Sequence, residues 1–501
     1  MSQTPHRIVI LGGGTAGWMT ANLFAHRWQN RNIEIVLVEA PDIGIIGVGE
    51  GSTPTLRRFF SDLGIAEHEW MPFCNATYKV NIKFNDWSPE SGVASYSHPF
   101  ISQLDAFSER AFYTNSMTRR LGLNVETSPD KFLFNGWLSH NNLAPITPPN
   151  FPFKIEYGYH FDSGLLGQFL CDRAKQHGVV HIQANVEHAL LGSQGEISHL
   201  VCSDHENIHA DFFVDCSGFE SLLLQKTLDV EFESFKSNLF NDSAVVFPTE
   251  ALAEPPVFTE ATALSCGWAW RIPLTHRTGN GYVFASDFME PEEAEKEFRH
   301  HLGIKDDVAA RHLKMRVGQV KEHWSKNCLG LGLASGFIEP LEATALHLVQ
   351  TTVEIFMDEY ENGNFGTQQQ GIFNEMITER FERVRDYIVA HYKLNTRTDT
   401  DYWRENRENN HLSESLLQIL DVWFRKGDIN QEIHRQQLAT HFGSTSWHCL
   451  LAGYGAFPEL AKKQPGRGDL YYEKELPQLF TGCIMNFQTH MEALQKMREI
   501  Q

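Results

Sequence analysis

The sequence predicts an α/β fold that opens on a parallel β-α-β unit and ends in a mainly helical region. Three observations predict it. An apolar strand, Arg7-Ile8-Val9-Ile10-Leu11, runs directly into Gly12-Gly13-Gly14-Thr15-Ala16-Gly17, after which Ala16, Met19 and Leu23 recur at helical spacing. A second apolar strand, Ile33-Glu34-Ile35-Val36-Leu37-Val38, follows at once, so a helical crossover joins two parallel strands. Beyond about residue 395 the alternation gives way to helical segments with short loops, of which Gln464-Pro465-Gly466-Arg467-Gly468 is the clearest.

The elements between follow in order. A helical stretch from Leu165 to His177 leads into the strand Val179-Val180-His181-Ile182. A hairpin runs from Val186 through Ser193-Gln194-Gly195 to Val201, and Asp211-Phe212-Phe213-Val214-Asp215 is a further strand closed by Cys216-Ser217-Gly218. There is no internal repeat and no low-complexity tract.

At 501 residues the chain can bury a large core in more than one lobe. Its net charge of −21 argues against a nucleic-acid or anionic-membrane surface, since both need a basic footprint. No apolar run reaches the roughly 18 residues that cross a bilayer, and no secretory leader is visible, which points to the cytoplasm. The eight cysteines are scattered without a C-x-x-C pair, as expected of buried thiols rather than of disulfides or a metal site.

The glycine turn has the parts of a dinucleotide site. Gly12 makes the tight turn, Gly14 lets the backbone approach a pyrophosphate, and Gly17 lets helix and strand pack closely. Thr15 and Ala16 open the helix, whose free N–H groups and positive dipole end suit phosphate. Glu39 lies 22 residues past Gly17, where it can accept from ribose hydroxyls and repel a 2′-phosphate, which disfavours NADP. A glycine-rich loop from Gly44 to Gly51, ending Glu50-Gly51-Ser52-Thr53-Pro54, follows the second strand, and Asp215-Cys216-Ser217-Gly218 resembles the second nucleotide-contacting segment of flavin monooxygenase-type folds; that resemblance implies FAD rather than NAD.

Three later segments carry chemistry-bearing residues. From Tyr78 to Phe84, apolar Tyr78, Val80, Ile82 and Phe84 alternate with Lys79, Asn81 and Lys83, the pattern of a half-buried strand, with Lys79 and Lys83 on one face. Residue physics does not choose between the two lysines. In Trp268-Ala269-Trp270-Arg271-Ile272-Pro273 both tryptophans share a strand face, and Pro273 ends the strand. Pro340 suits the first turn of a helix, continued by Leu341, Ala345, Leu348, Thr352 and Ile355, so Glu342 is expected in that turn, with Glu339 close by.

In this order, Tyr78-Lys79, the W-x-W-x-I-P string and Gly336-Phe337-Ile338-Glu339-Pro340-Leu341-Glu342-Ala343-Thr344-Ala345 resemble the flavin-dependent halogenases of the tryptophan halogenase family over the first ~350 residues. The resemblance implies a Rossmann-type FAD-binding domain of the flavin monooxygenase type, a substrate-side sheet, and a helical C-terminal region. It divides the chain into a FAD-binding and catalytic module over 1–395 and a region over 396–501 that helps close the substrate site. It chooses Lys79 as the catalytic lysine and Glu342 as the catalytic glutamate, and it sets Thr344 and Ala345 at a halide site. There the family has Ser-Thr-Gly and this chain Ala343-Thr344-Ala345. Val186 and Leu333 join the cofactor set; His98, Phe100, Trp268 and Trp270 are implied near the substrate.

The implied reaction uses FADH2 from a separate NAD(P)H-dependent flavin reductase, with O2 and chloride or bromide. Hypohalous acid then passes to Lys79 and halogenates a small indole-type aromatic: tryptophan, free indole or a relative. Tyr471-Tyr472, with Glu473 and Glu475 beside them, begin the family's clamp for the amino-acid end of tryptophan, but no Phe-Trp pair follows at Gly482-Cys483. A homodimer is left open. The alternatives are a flavin-dependent aromatic hydroxylase and, more distantly, a non-catalytic FAD-binding protein.

Overall fold

The computed structural model describes residues 4–41, 49–203, 205–305 and 308–500. Strand β1 (His6–Leu11), helix α1 (Thr15–Trp28) and strand β2 (Ile33–Glu39) form the expected unit, with the strands parallel and Ile8 opposite Ile35. Ile8–Leu11 of β1 and Ile35–Val38 of β2 are continuously apolar because both faces are covered there. Ile8, Ile10, Ile35 and Leu37 enter the main core with α1, whereas Val9, Leu11, Val36 and Val38 pack with Ala189, Ile197 and Leu200 on the other side. The latter belong to the predicted hairpin, formed by Val186–Leu191 and Ile197–Cys202 as an antiparallel pair.

The six-stranded nucleotide-side sheet has the order Trp324–Ser325, Cys328–Gly330, Phe212–Asp215, β1, β2, Val180–Gln183. Only its Trp324–Ser325 edge strand is antiparallel. A seven-stranded sheet stands on the substrate side. It runs Arg311–Lys314, Ser243–Glu250, Arg277–Phe284, Gly267–Pro273, Phe258–Leu264, Asn81–Ser88, Val93–Pro99. From Asp401 onward the described elements are helical.

Two local expectations are corrected. The segment Tyr78 to Phe84 is two strands, β3 (Thr77–Lys79) and β4 (Asn81–Ser88), in different sheets. At Val80 the chain leaves one ladder for the other: its N–H donates to Val257 O and its carbonyl accepts from Phe100 N–H. Lys79 and Lys83 therefore share no face of a common strand, and Lys79 is fully buried while Lys83 is half-buried. The second correction concerns Pro340. The helix begins at Ala345 (Ala345–Asn362, here α2), with Thr344 as N-cap, so Glu342 precedes the first turn. Ala343 sits in the left-handed region at φ 55°, which interrupts helical geometry between Pro340 and Thr344.

Of the expected loop from Gly44 to Gly51, residues 44–48 lie outside the described residues, and Glu50–Gly51 is a short strand against Gly158–Phe161. None of the eight cysteines sits in a disulfide. Among the described residues no helix is long and apolar enough to cross a membrane, and no group of three or more His, Cys, Asp or Glu is placed to hold a metal ion.

Candidate active site

The glycine turn is shaped by three close approaches. A Cβ on Gly12, where φ is 117°, would lie 2.2 Å from Cys216 O, and one on Gly17 would lie 2.0 Å from Gly12 O. At Gly13 it would lie 1.4 Å from Glu39 Oε2, a constraint that spacing alone did not single out. Gly14 differs: nothing lies within 4 Å of its would-be Cβ, and no side chain caps the N-terminus of α1. The turn thus presents open space and uncapped N–H groups at Thr15, Ala16 and Gly17, which fits a pyrophosphate. Glu39 ends β2 with one oxygen accepting from His181 Nε2 at 2.8 Å, so His181 orients the carboxylate expected at the ribose. Leu333 lies in a short turn whose Gly332 abuts Ala16, and half-buried Val186 opens the hairpin. The residues present fit FAD.

Lys79 lies at the end of β3, with its side chain among Gly51, Thr259, His160 and Phe100. Its Nζ is 3.2 Å from the position a Cβ on Gly51 would take and 5.4 Å from the Phe100 ring centroid. The ammonium is buried with no hydrogen-bond partner. Burial pushes its pKa down to about 7, opposed in part by the negative charge of Glu342. A buried amine without a partner is costly unless it serves a ligand.

Glu342 is also buried, and an imidazole meets each carboxylate oxygen. His98 Nδ1 is 2.9 Å from Oε2 and His391 Nε2 is 3.0 Å from Oε1. Burial alone would raise this carboxyl, but the two imidazoles outweigh it and hold it down at about 2. His391 was not singled out in the sequence; it comes from the helix Gln370–Lys393 and carries no local motif. Glu339, by contrast, gathers three donors on Oε2: Trp268 Nε1–H at 2.7 Å, the Tyr392 hydroxyl at 2.7 Å and Asn241 Nδ2–H at 2.9 Å. It anchors Trp268. Trp270 stands on the same strand face, its ring centroid 6.0 Å from that of Trp268, with a buried indole N–H that has no partner.

Thr344 Oγ1 is buried without a partner at the uncapped start of α2, and Ala345 is the first helical residue. A hydroxyl and helix-start N–H groups together can hold an anion. His98 and Phe100 flank Pro99 at the end of Val93–Pro99, bringing Phe100 to Lys79 and His98 to Glu342. The C-terminal helices reach the same cluster: Ser446 Oγ is 3.0 Å from His98 Nε2 and Tyr454 Oη is 3.0 Å from His391 Nδ1. Tyr471 is buried beside Phe132, whereas Tyr472 is 62% exposed and meets the Tyr471 ring edge to face at 5.0 Å between centroids.

A family model described as tryptophan halogenase matches residues 7–466. The chain is 36% identical over 446 residues to the tryptophan 6-halogenase SttH of Streptomyces toxytricini, covering 84% of each protein. It is 31% identical over 494 residues to the tryptophan 7-halogenase RebH of Lentzea aerocolonigenes, covering 92% of this chain and 91% of that one. Among solved structures it is similar to BrvH, a flavin-dependent halogenase from Brevundimonas sp. BAL3. That match has a TM-score of 0.83 and 30% identity, over 98% of this chain and 99% of the other. The chain belongs to the tryptophan halogenase family of flavin-dependent enzymes.

Proposed function

We propose that the protein halogenates an indole-type aromatic, using halide, O2 and FADH2 from a separate NAD(P)H-dependent flavin reductase. The observation that carries this reading is Lys79: a fully buried amine with no hydrogen-bond partner, within the field of Glu342. Bound flavin, once reduced, supplies hypohalous acid from O2 and halide. Gly12, Gly14, Thr15, Ala16, Gly17, Glu39, Val186 and Leu333 hold that cofactor, while Thr344 and Ala345 hold the halide. Lys79 receives the hypohalous acid, by hydrogen bond or as an N-halogen adduct, and presents electrophilic halogen to the ring. Glu342 takes the ring proton. Trp268 and Trp270 separate substrate from flavin, so the oxidant reaches the ring only as halogen; Glu339 fixes Trp268 in that position.

The substrate is tryptophan, the substrate in the names of SttH and RebH, or else free indole or a related aromatic, with His98 and Phe100 beside it. The reading includes a region, 396–501, that closes the substrate site, supported by the contacts of Ser446 and Tyr454. It also includes a cytoplasmic setting and leaves a homodimer to light scattering. The test is a panel of indoles supplied with a flavin reductase, NADH, FAD and bromide, analysed by mass spectrometry. Brominated product is expected. Hydroxylated product alone would select the hydroxylase alternative.

A further inference from the structure

A chain of hydrogen bonds ends beside Lys79, and its direction is set from its far end. Pro273 O, on the last residue of the tryptophan strand, can only accept, so the Thr77 hydroxyl 2.7 Å away donates to it. With its one proton so used, Thr77 Oγ1 accepts from His160 Nδ1–H at 3.0 Å. His160 is fully buried, and burial first, then the charge of Lys79, opposes a second proton on its ring. Its Nε2 is therefore an acceptor, and the Thr259 hydroxyl 2.9 Å away donates to it.

Thr259 Oγ1 is left with lone pairs alone, and among the described residues it has no other hydrogen-bond partner. It stands on Phe258–Leu264, next to β4, whereas Lys79 ends β3, so the two side chains come from different sheets. They face one gap over Gly51: the place a Cβ there would take is 3.2 Å from Lys79 Nζ and 3.3 Å from Thr259 Oγ1. Lys79 Nζ is itself unpartnered, and while protonated it offers only N–H donors. The gap thus has donors on one wall and, on the other, an oxygen locked as an acceptor.

Resting on the halogenase reading, we propose that Thr259 is the second anchor of hypohalous acid at Lys79, accepting its O–H, with His160 and Thr77 as the positioning residues that keep Thr259 Oγ1 an acceptor. The Lys79 ammonium donates to the oxygen of HOX, and the O–H of HOX donates to Thr259. Both hydrogen bonds hold the oxygen end, so the halogen is the end left free for the aromatic ring. An N-halogen adduct on Lys79 would turn its remaining N–H to the same oxygen. No covalent bond is made or broken at Thr259, His160 or Thr77.

The experiment compares wild type with Thr259→Val, which keeps the shape and removes the acceptor, and with Thr259→Ser, which restores it. Holoenzyme carrying FADH2 is mixed once with O2, bromide and the indole brominated fastest in the panel. An excess of a 1,3-diketone captures any hypobromous acid released to solvent. Bromine on the indole, bromine on the diketone and flavin oxidised are measured together. Wild type is expected to place its bromine on the indole. Thr259→Val is expected to go on oxidising flavin while its ratio of indole-bound to diketone-bound bromine falls about 10-fold, the worth of one hydrogen bond, and Thr259→Ser to recover most of that ratio. Thr259→Ala carries the same expectation if the valine variant does not fold. An unchanged ratio in the valine or alanine variant, however slow its turnover, or no recovery with serine, would overturn the role of Thr259. A wild type that brominates no indole counts instead against the function on which it rests.

Discussion

Lys79 shows how much a single side chain can ask of its surroundings. Its pKa lies near 7 in the fold against an ordinary value of 10.5. The folded protein therefore binds fewer protons than the unfolded chain between those two values, and stability rises with pH across that window. Below pH 7 the full penalty of burying the ammonium is present; above 10.5 it is gone. Lys79→Met should accordingly be more stable than wild type by ~3–6 kcal/mol below pH 7, with the difference closing toward pH 10.5 in denaturant titrations. A constant difference across that range would mean that the lysine is solvated. Glu339 makes the opposite demand: removing its carboxylate as Glu339→Ala leaves Trp268, Asn241 and Tyr392 without their acceptor. Destabilisation of about 3–5 kcal/mol is expected, read by the same titration.

At the scale of elements, the β-α-β unit was legible because each part has a periodic or steric cause on the page of the sequence. The strands are apolar on both faces, the helix follows the 3.6 period, and the turn needs glycines where backbone meets backbone. Two substitutions separate folding from binding there. Gly17→Ala drives a Cβ into Gly12 O and should cost roughly 1–3 kcal/mol or more of stability. Gly14→Ala meets nothing, so stability should change by under about 1 kcal/mol while FAD affinity falls, as read by thermal melts and flavin fluorescence titration. Unchanged FAD binding in Gly14→Ala would place the pyrophosphate elsewhere. The misplacement of Glu342 has an equally local cause: apolar spacing continued smoothly from Leu341 to Ile355, and nothing in it reveals that Ala343 turns left-handed. Alternation from Tyr78 to Phe84 likewise ran unbroken across Val80, because two strands in different sheets can share one register of apolar residues. Family resemblance named Lys79 and Glu342, but it carried no signal for His391, Ser446 or Tyr454. His391 reaches Glu342, Ser446 reaches His98 and Tyr454 reaches His391 only through tertiary packing.

At the scale of the molecule, one apolar cluster runs from Ile8 and Trp18 through Trp268 and Leu348 to Trp447 and Leu494. The helical region past residue 395 therefore shares a core with the nucleotide-binding sheet, and calorimetry should show a single cooperative transition; two resolved transitions would mark 1–395 as an independent unit. The same continuity joins the flavin end of the protein to Lys79, and the central claim is that oxidant made at one end is used at the other only through that amine. The most direct measurement follows flavin oxidation and brominated product together in wild type and in Lys79→Ala. Wild type should link the two. Lys79→Ala should go on consuming FADH2 and O2 while losing at least about 10²-fold of product formation. A Lys79→Ala enzyme that still brominates its indole at the wild-type rate would contradict the account.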